Sequence, residues 1–450
     1  MMSILNNPPT LPITLSDGLI IRRATAADTA QVAALNEQVL RDPDEPALIF
    51  DAWTRDLMSG RHPTNTAADF VVVEDTKTGQ IVSSTCLIPQ VWSYEEIRLK
   101  VGRPELVATA PAYRRRGLVK ALFEVIHAQS AAKGHLAQGV TGIPWFYRQF
   151  GYEYALPLGG WRTLHFNDVP ALKTGEGELY QTRPAGEADI PILMSLYQRH
   201  YAGKLVITLI DEARWRYDIS GHSPGSVQAL RVWCVLNQSG QVVGYYTAAA
   251  LPWQGHLIVW EVVVAPGISL HAVLPTITRA LKTHAESYQS AVTEPSPLTG
   301  VRFYLGQEHP VYKILEAKLG PWQQAYAWYV RVADLPAFIR HVGPVLERRL
   351  ASSVMVGYSG ELKITFYCGG LRLVFEQGRL IEAAHWQAAG TNEPENGAGF
   401  PPLVFLQLLF GYRSLAELHA AFPDCWADEE PTLLLNILFP RRASLVFPLG

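Results

Sequence analysis

Four apolar side chains, Val119, Leu122, Phe123 and Ile126, recur at offsets of three, four and seven, the spacing that lays one face of an α-helix on a core. Upstream, the short apolar run Leu106–Thr109 reads as a strand that ends at Pro111, so Arg114, Arg115, Arg116 and Gly117 stand where the helix begins. First-turn amides have no acceptor within the helix and carry the positive end of its dipole, which makes this junction a place for phosphate. Gly117 lets backbone approach an anion closely, and the arginines add charge-assisted donors at the mouth.

The same patterning predicts the flanking elements. Gly18–Arg23 reads as a strand, and Thr25–Asp28 caps a helix with Val32, Leu35 and Val39 on one face. Asp69–Glu74 and Gln80–Leu87 are β-branched runs joined by a Gly-ended turn, a hairpin signal. Gly139–Tyr154 then gathers aromatics around Tyr147, Phe150 and Tyr152. A second pass of the same order begins near Leu179. In it Arg183, Asp189 and Leu196 parallel Arg23, Asp28 and Leu35 with a one-residue insertion, and Gly240–Val243 mirrors Gly79–Val82. Val262–Pro266 stands where Val107–Pro111 stood, so two related domains in tandem are expected. After Pro266 the chain reads Gly267-Ile268-Ser269-Leu270-His271, without an arginine cluster, which predicts a structural or substrate-shaping second copy.

From Asp334 the pattern changes again. A helix with Phe338, Val342, Val345 and Leu346 on one side precedes strands at Glu361–Tyr367, Gly370–Glu376 and Arg379–Ala383. Loops are expected at Thr293–Gly300 and Thr391–Gly399, and helices at Pro401–Phe410 and Ser414–Phe422, giving a layered α+β module. The expected division is therefore 1–175, 176–333 and 334–450.

At 450 residues, with 48% hydrophobic and 18% charged, the chain has material for several cores. A net charge of −3 argues against general nucleic-acid binding. Cys86, Cys234, Cys368 and Cys425 lie in apolar or aromatic contexts without metal-ligand spacing, so buried free thiols and a reducing cytoplasm are expected. The histidines show no paired ligand spacing, so no metal is expected. No targeting segment is evident, and the most apolar stretches are too short to span a bilayer. Asp42, Asp44, Glu45, Glu95 and Glu96 are candidates for an acidic cleft.

The run Arg114-Arg115-Arg116-Gly117-Leu118-Val119, between strand and amphipathic helix, resembles the acetyl-CoA loop of the GNAT N-acetyltransferases, with Val119 where a small residue is usual. With the degraded second copy and the C-terminal module, the chain resembles the Eis-like (enhanced intracellular survival) acetyltransferases. This resemblance implies a mixed α/β fold of two tandem GNAT (acyl-CoA N-acyltransferase) domains, the second degenerate, followed by a sterol-carrier-protein-like α+β domain. It implies acetyl-CoA as co-substrate. The pantetheine arm would lie on the backbone of Val107, Ala108 and Thr109, and the diphosphate on Arg114, Arg115, Arg116, Gly117, Leu118, Val119 and Lys120. The second motif, Gly142–Tyr152, adds Gly142 and Ile143 on the cofactor side and Tyr147 as general acid, a phenol of pKa near ~10 facing a thiolate of roughly 8–9. Glu105 is a candidate proton relay, and the resemblance offers the C-terminal carboxylate, here on Gly450, as base. The implied reaction is direct acetyl transfer to a primary amine, an aminoglycoside-like polyamine or a lysine side chain, by a protein that forms multimers. The competing reading is an apolar-ligand-binding protein with the GNAT halves as scaffold.

Overall fold

The computed structural model describes residues 9–447 apart from 44, 173, 292–297, 325 and 388–395. Three sheets organise them. The first has nine strands and carries, in spatial order, Ile13–Thr14, Leu19–Arg23, Phe70–Asp75, Gln80–Tyr94, Ile97–Thr109, Ala137–Val140, Tyr326–Arg331 and Glu153–Leu158. Val206–Thr208 pairs with the far end of Gln80–Tyr94. The second runs Arg162–His165, Gly300–Phe303, His256–Val264, Val242–Ala249, Leu230–Leu236 and Gln181–Pro184. Five strands from Gly360 to Ala427 form the third.

The halves begin alike, for a chemical reason. Asp28 takes two hydrogen bonds at 2.8 Å from the Arg22 guanidinium and one at 2.7 Å from the Thr25 amide. Asp189 receives the same set from Arg183 (2.7 and 2.8 Å) and the Gly186 amide (2.8 Å). The bidentate pair ties strand to helix start. The partner of Arg183 in the repeat is thus Arg22, not Arg23, and no inserted residue is needed.

Each sheet also borrows from the other half. Tyr326–Arg331 inserts between Ala137–Val140 and Glu153–Leu158, antiparallel to both, and buries Trp328, Tyr329 and Val330 completely. Arg162–His165 crosses over to cover Gly300–Phe303 in the second sheet.

Beside the expected pairing of Phe70–Asp75 with Gln80–Tyr94, the strands Gln80–Tyr94 and Ile97–Thr109 form a second hairpin, far longer than the runs Gln80–Leu87 and Leu106–Thr109 read from the sequence. Its distal end, Trp92, Tyr94, Leu99 and Val101, shares one core with Phe338, Val342 and Leu346 of the helix Leu335–Ala351, and the Tyr94 hydroxyl donates to the Leu409 carbonyl at 2.8 Å. Glu95 at the hairpin tip is ion-paired to Arg348, Arg349 and Arg442, and Glu96 to Arg348. Both therefore brace the third sheet's helix and are not part of a cleft. Asp44 lies outside the described residues.

Three further expectations change. Gly397–Gly399, read as loop, is a strand parallel to Gly360–Thr365, while most of the remaining stretch 391–396 is outside the described residues. The helix expected at Pro401–Phe410 is confined to Phe405–Leu409, since Leu403 at φ +70° follows the two prolines. Cys86, Cys234 and Cys425 are buried, but Cys368 is exposed in a turn. The expected loop Thr293–Gly300 falls largely outside the described residues, and Gly300 opens a strand.

Candidate active site

Strand Ile97–Thr109 is paired along one edge with Gln80–Tyr94. Along the other it runs parallel to Ala137–Val140 only at Val101–Ala137 and Gly102–Gln138. Beyond that point the strands part. Leu106, at φ +51°, sits where the ladder slips between Ser84 and Cys86, a bulge that bends the strand away from its parallel neighbour. Val107, Ala108 and Thr109 follow it, with no ladder on that edge among the described residues.

An aromatic cluster floors the opening: Phe123, Val140, Tyr147, Phe150, Tyr152 and Tyr329, with Val107 and Val119 packed on it. Val119 is larger than the loop pattern wants because its side chain faces this cluster. Leu118 is buried beneath the helix start, and the side chains of Arg114, Arg115, Arg116 and Lys120 are exposed.

Helix Leu118–Ala132 begins at Gly117, φ +74°, with no side-chain cap on its first-turn amides. A Cβ built on Gly117 meets nothing within 4 Å, so the space in front of these donors is open. Arg115 too adopts positive φ, +62°. Arg114 reaches the Thr109 carbonyl at 3.4 Å. Arg116 lies over the Tyr113 ring at 4.9 Å, and the Tyr113 hydroxyl donates to Asp75 at 2.7 Å. The charges are thereby held at the helix mouth.

Tyr147 lies in the short helical turn Phe146–Phe150, 5% exposed, with rings of Phe146, Tyr329 and Phe123 at 5.2, 5.5 and 5.7 Å. A Cβ on Gly142, φ +144°, would come within 3.0 Å of its Cε2 and 3.3 Å of its hydroxyl, so Gly142 leaves room for the phenol. That hydroxyl makes no hydrogen bond among the described residues. Burial, reinforced by the Glu105 carboxylate and Tyr329, pushes its pKa well above the usual phenol value, so it holds its proton at neutral pH. Such a group donates.

Glu105 receives a 2.8 Å hydrogen bond from buried Arg103, yet burial still raises its pKa. The loop bearing Gly142 and Ile143 is fixed by the borrowed strand. Tyr326 donates to the Gly142 carbonyl at 2.8 Å, and the Tyr329 hydroxyl lies 3.2 Å from the Ile143 carbonyl. The Ile143 side chain itself is 64% exposed. Sequence reasoning missed Tyr326 and Tyr329, because nothing local ties residues 326–331 to residue 142. Their signal was a Tyr-Ala-Trp-Tyr run whose alternate residues needed a partner sheet.

Next to Glu105 and Thr141 opens a cavity of about 600 Å³ between the first two sheets. Glu45, from the expected acidic set, lines it. Val107 and Val119 pack on the cluster that holds Tyr147, while the cavity itself is reached from that cluster through Glu105 and Thr141. Gly450 lies outside the described residues, and the last described segment runs along the second half, with Leu445 bridging Ile207 and the Phe447 amide donating to Thr208 at 3.0 Å.

Residues 20–155 match the profile of the acetyltransferase (GNAT) domain. The chain carries a GNAT acetyltransferase domain. The split between parallel strands and the uncapped helix start both lie inside the matched span. The whole chain shares its fold with solved structures at low identity. A probable N-acyltransferase from Enterococcus faecalis V583 has 14% identity and TM-score 0.65, with 95% of this chain and 97% of that one covered. A GCN5-related N-acetyltransferase from Kribbella flavida has 17% identity and TM-score 0.63, covering 95% and 99%. Eis1 from Mycobacterium abscessus has 12% identity and TM-score 0.57, covering 94% and 98%. No curated protein matches the sequence. The GNAT-like mixed α/β fold expected for the chain is thus its fold. No helix among the described residues is long and apolar enough to cross a membrane, and no group of three or more His, Cys, Asp or Glu there has the placement to hold a metal ion.

Proposed function

We propose that the chain moves the acetyl group of acetyl-CoA to a primary amine in a ternary complex, as an Eis-like enzyme. The observation that carries this is the bare strand edge at Val107–Thr109 running to an uncapped, arginine-flanked helix start. An extended amide-bearing arm ending in a diphosphate matches that pairing of features: main-chain hydrogen bonds on the edge, then amides and guanidinium groups for the anion.

When bound, the co-substrate supplies the thioester. The chain's residues do the rest. Arg114, Arg115, Arg116 and the amides of Gly117–Lys120 bind the diphosphate, while Gly142 and Ile143 border the arm. As the amine nitrogen bonds to the acetyl carbon and the carbon–sulfur bond breaks, Tyr147 gives its proton to the leaving sulfur. The amine's surplus proton passes through water to Glu105 or to the Gly450 carboxylate. Removing Leu449 and Gly450 decides between these: turnover lost at least about tenfold supports the terminus, and unchanged turnover leaves Glu105.

We keep the division 1–175, 176–333 and 334–450 with the two exchanged strands, a sterol-carrier-like third domain, a multimeric state and a cytoplasmic site as parts of the proposal. The reading as an apolar-ligand carrier draws no support from the third region's core, which Phe338, Val342, Leu346, Phe400 and Phe405 fill with their own side chains.

Calorimetry with acetyl-CoA tests the reading. Wild type is expected to bind, and Gly117→Trp to lose binding while keeping its melting temperature within a few degrees. Equal binding by both, or by neither, would overturn it.

A further inference from the structure

The cavity beside Glu105 is walled by Trp53, Trp161, Trp253, Trp260, Tyr304 and Tyr326. These rings fix one another. Trp161 stacks on Tyr304 at 4.8 Å and 19°, Trp260 lies 5.1 Å from Tyr304, and Trp253 meets Trp161 edge-on at 6.3 Å. Gly159, φ +68°, permits this packing, since a Cβ there would come within 3.2 Å of the Tyr304 ring. The result is a set of flat, preorganised apolar surfaces in a volume of about 600 Å³, the size that holds a small ligand.

The charges around the cavity are few and partly spent. Both carboxylates of the lining are engaged: Glu45 accepts the Asp42 amide at 2.9 Å, and Glu105 is paired with Arg103. Arg302 places its guanidinium 5.5 Å from the Trp161 ring and 5.1 Å from the Trp253 ring, so those indoles already face one cation. A polycation entering here would leave most of its ammonium groups desolvated, with two engaged carboxylates to share, and would meet Arg103 of the lining as a like charge. A single amine on a flat apolar body suffers neither penalty. Its ring buries area against the indoles, and its nitrogen alone reaches the polar end at Glu105 and Thr141.

Resting on the acetyltransferase reading above, we infer that the acceptor is a primary monoamine attached to an aromatic or similarly planar apolar group, in place of the polyamine that the family resemblance suggests. The cavity is its binding site. Trp161 and Trp253 select its body, and Glu105 marks the end where the amine sits.

A thiol-release assay on the full chain, with acetyl-CoA saturating, compares tryptamine and phenethylamine with ethylamine, spermidine, kanamycin and a lysine-containing peptide. The expected kcat/KM for the two arylalkylamines exceeds that for each other amine by about tenfold or more. In Trp253→Ala and Trp161→Ala, both checked for unchanged melting and acetyl-CoA binding, the tryptamine-to-ethylamine ratio of kcat/KM is expected to fall about tenfold. Preference for spermidine, kanamycin or the peptide, no turnover of any amine despite bound acetyl-CoA, or an unchanged ratio in both variants overturns the proposal. Should acetyl-CoA fail to bind wild type, the acetyltransferase reading itself falls instead.

Discussion

The two halves open the same cleft and fill it differently. In the second half, His256–Val264 pairs in parallel with Gly300–Phe303 as far as Val259 and then parts from it, as the equivalent strands do beyond Gly102 in the first. There the His309 imidazole hydrogen-bonds to the Val262 carbonyl at 3.0 Å, on the strand segment equivalent to Val107–Thr109, where the first half has only the 3.4 Å contact from Arg114 to the Thr109 carbonyl. Burial lowers the His309 pKa to about 3, so the ring stays neutral. Both openings are followed by a short helical turn with tyrosine at its second position, Tyr147 and Tyr312. The Tyr312 hydroxyl donates to the Phe303 carbonyl at 2.6 Å and accepts from the Leu305 amide at 3.1 Å, whereas that of Tyr147 is unengaged among the described residues. The helix start after Gly267 is capped by Ser269, whose hydroxyl accepts the Ala272 amide at 3.3 Å. The halves differ in what is left unsatisfied. The backbone design is common to both halves, and the second has met its own hydrogen-bonding needs with its own side chains.

Breaking that contrast starts with the two tyrosines. Tyr147→Phe is expected to lower turnover by at least about tenfold with acetyl-CoA affinity intact, the mark of a proton lost from the transition state. Tyr312→Phe is expected to leave turnover unchanged and to cost about 1 kcal/mol of stability in denaturant titration, because a buried amide loses its acceptor. Equal losses of turnover in both variants would show that the halves do not differ in this way.

A smaller effect sharpens the resemblance between the halves. Their arginine pairs hold Asp28 and Asp189 at a pKa of about 2, below the ordinary 3.8, with the guanidinium hydrogen bond as the main cause in each. A carboxylate whose pKa is depressed by folding stabilises above its unfolded value and ceases to do so as pH falls through the folded one. Stability from both pairs is thus complete above about pH 4 and declines toward pH 2, on the order of 1 kcal/mol each after solvent screening. Melting curves of wild type, Asp28→Asn and Asp189→Asn at pH 7 and pH 3 measure it. The expected gap between wild type and each variant narrows at the lower pH, and a constant gap would deny the linkage.

Much of the site was readable along the chain because its parts are local. The amphipathic spacing from Val119 to Ile126 placed the helix Leu118–Ala132, the glycine and arginines marked its start, and Phe150 and Gly151 singled out Tyr147. The repeat was visible too, although it was aligned through Arg23. Two adjacent arginines are indistinguishable in a pattern, and only the ion pair with Asp28 at 2.8 Å tells them apart.

What composition and periodicity determined by themselves was where strands and helices start, which faces are apolar, and that one helix mouth is cationic while its counterpart is not. Those properties are encoded within a turn or two of the chain. Tertiary structure alone decided that Tyr326 and Tyr329 return to fasten the loop at Gly142, that Glu95 and Glu96 serve the third sheet, that residues 397–399 pair as a strand, and that aromatics from both halves meet beside Glu105. Such contacts join residues far apart in sequence through strand pairing and burial, and no short-range pattern records which sheet a strand will complete.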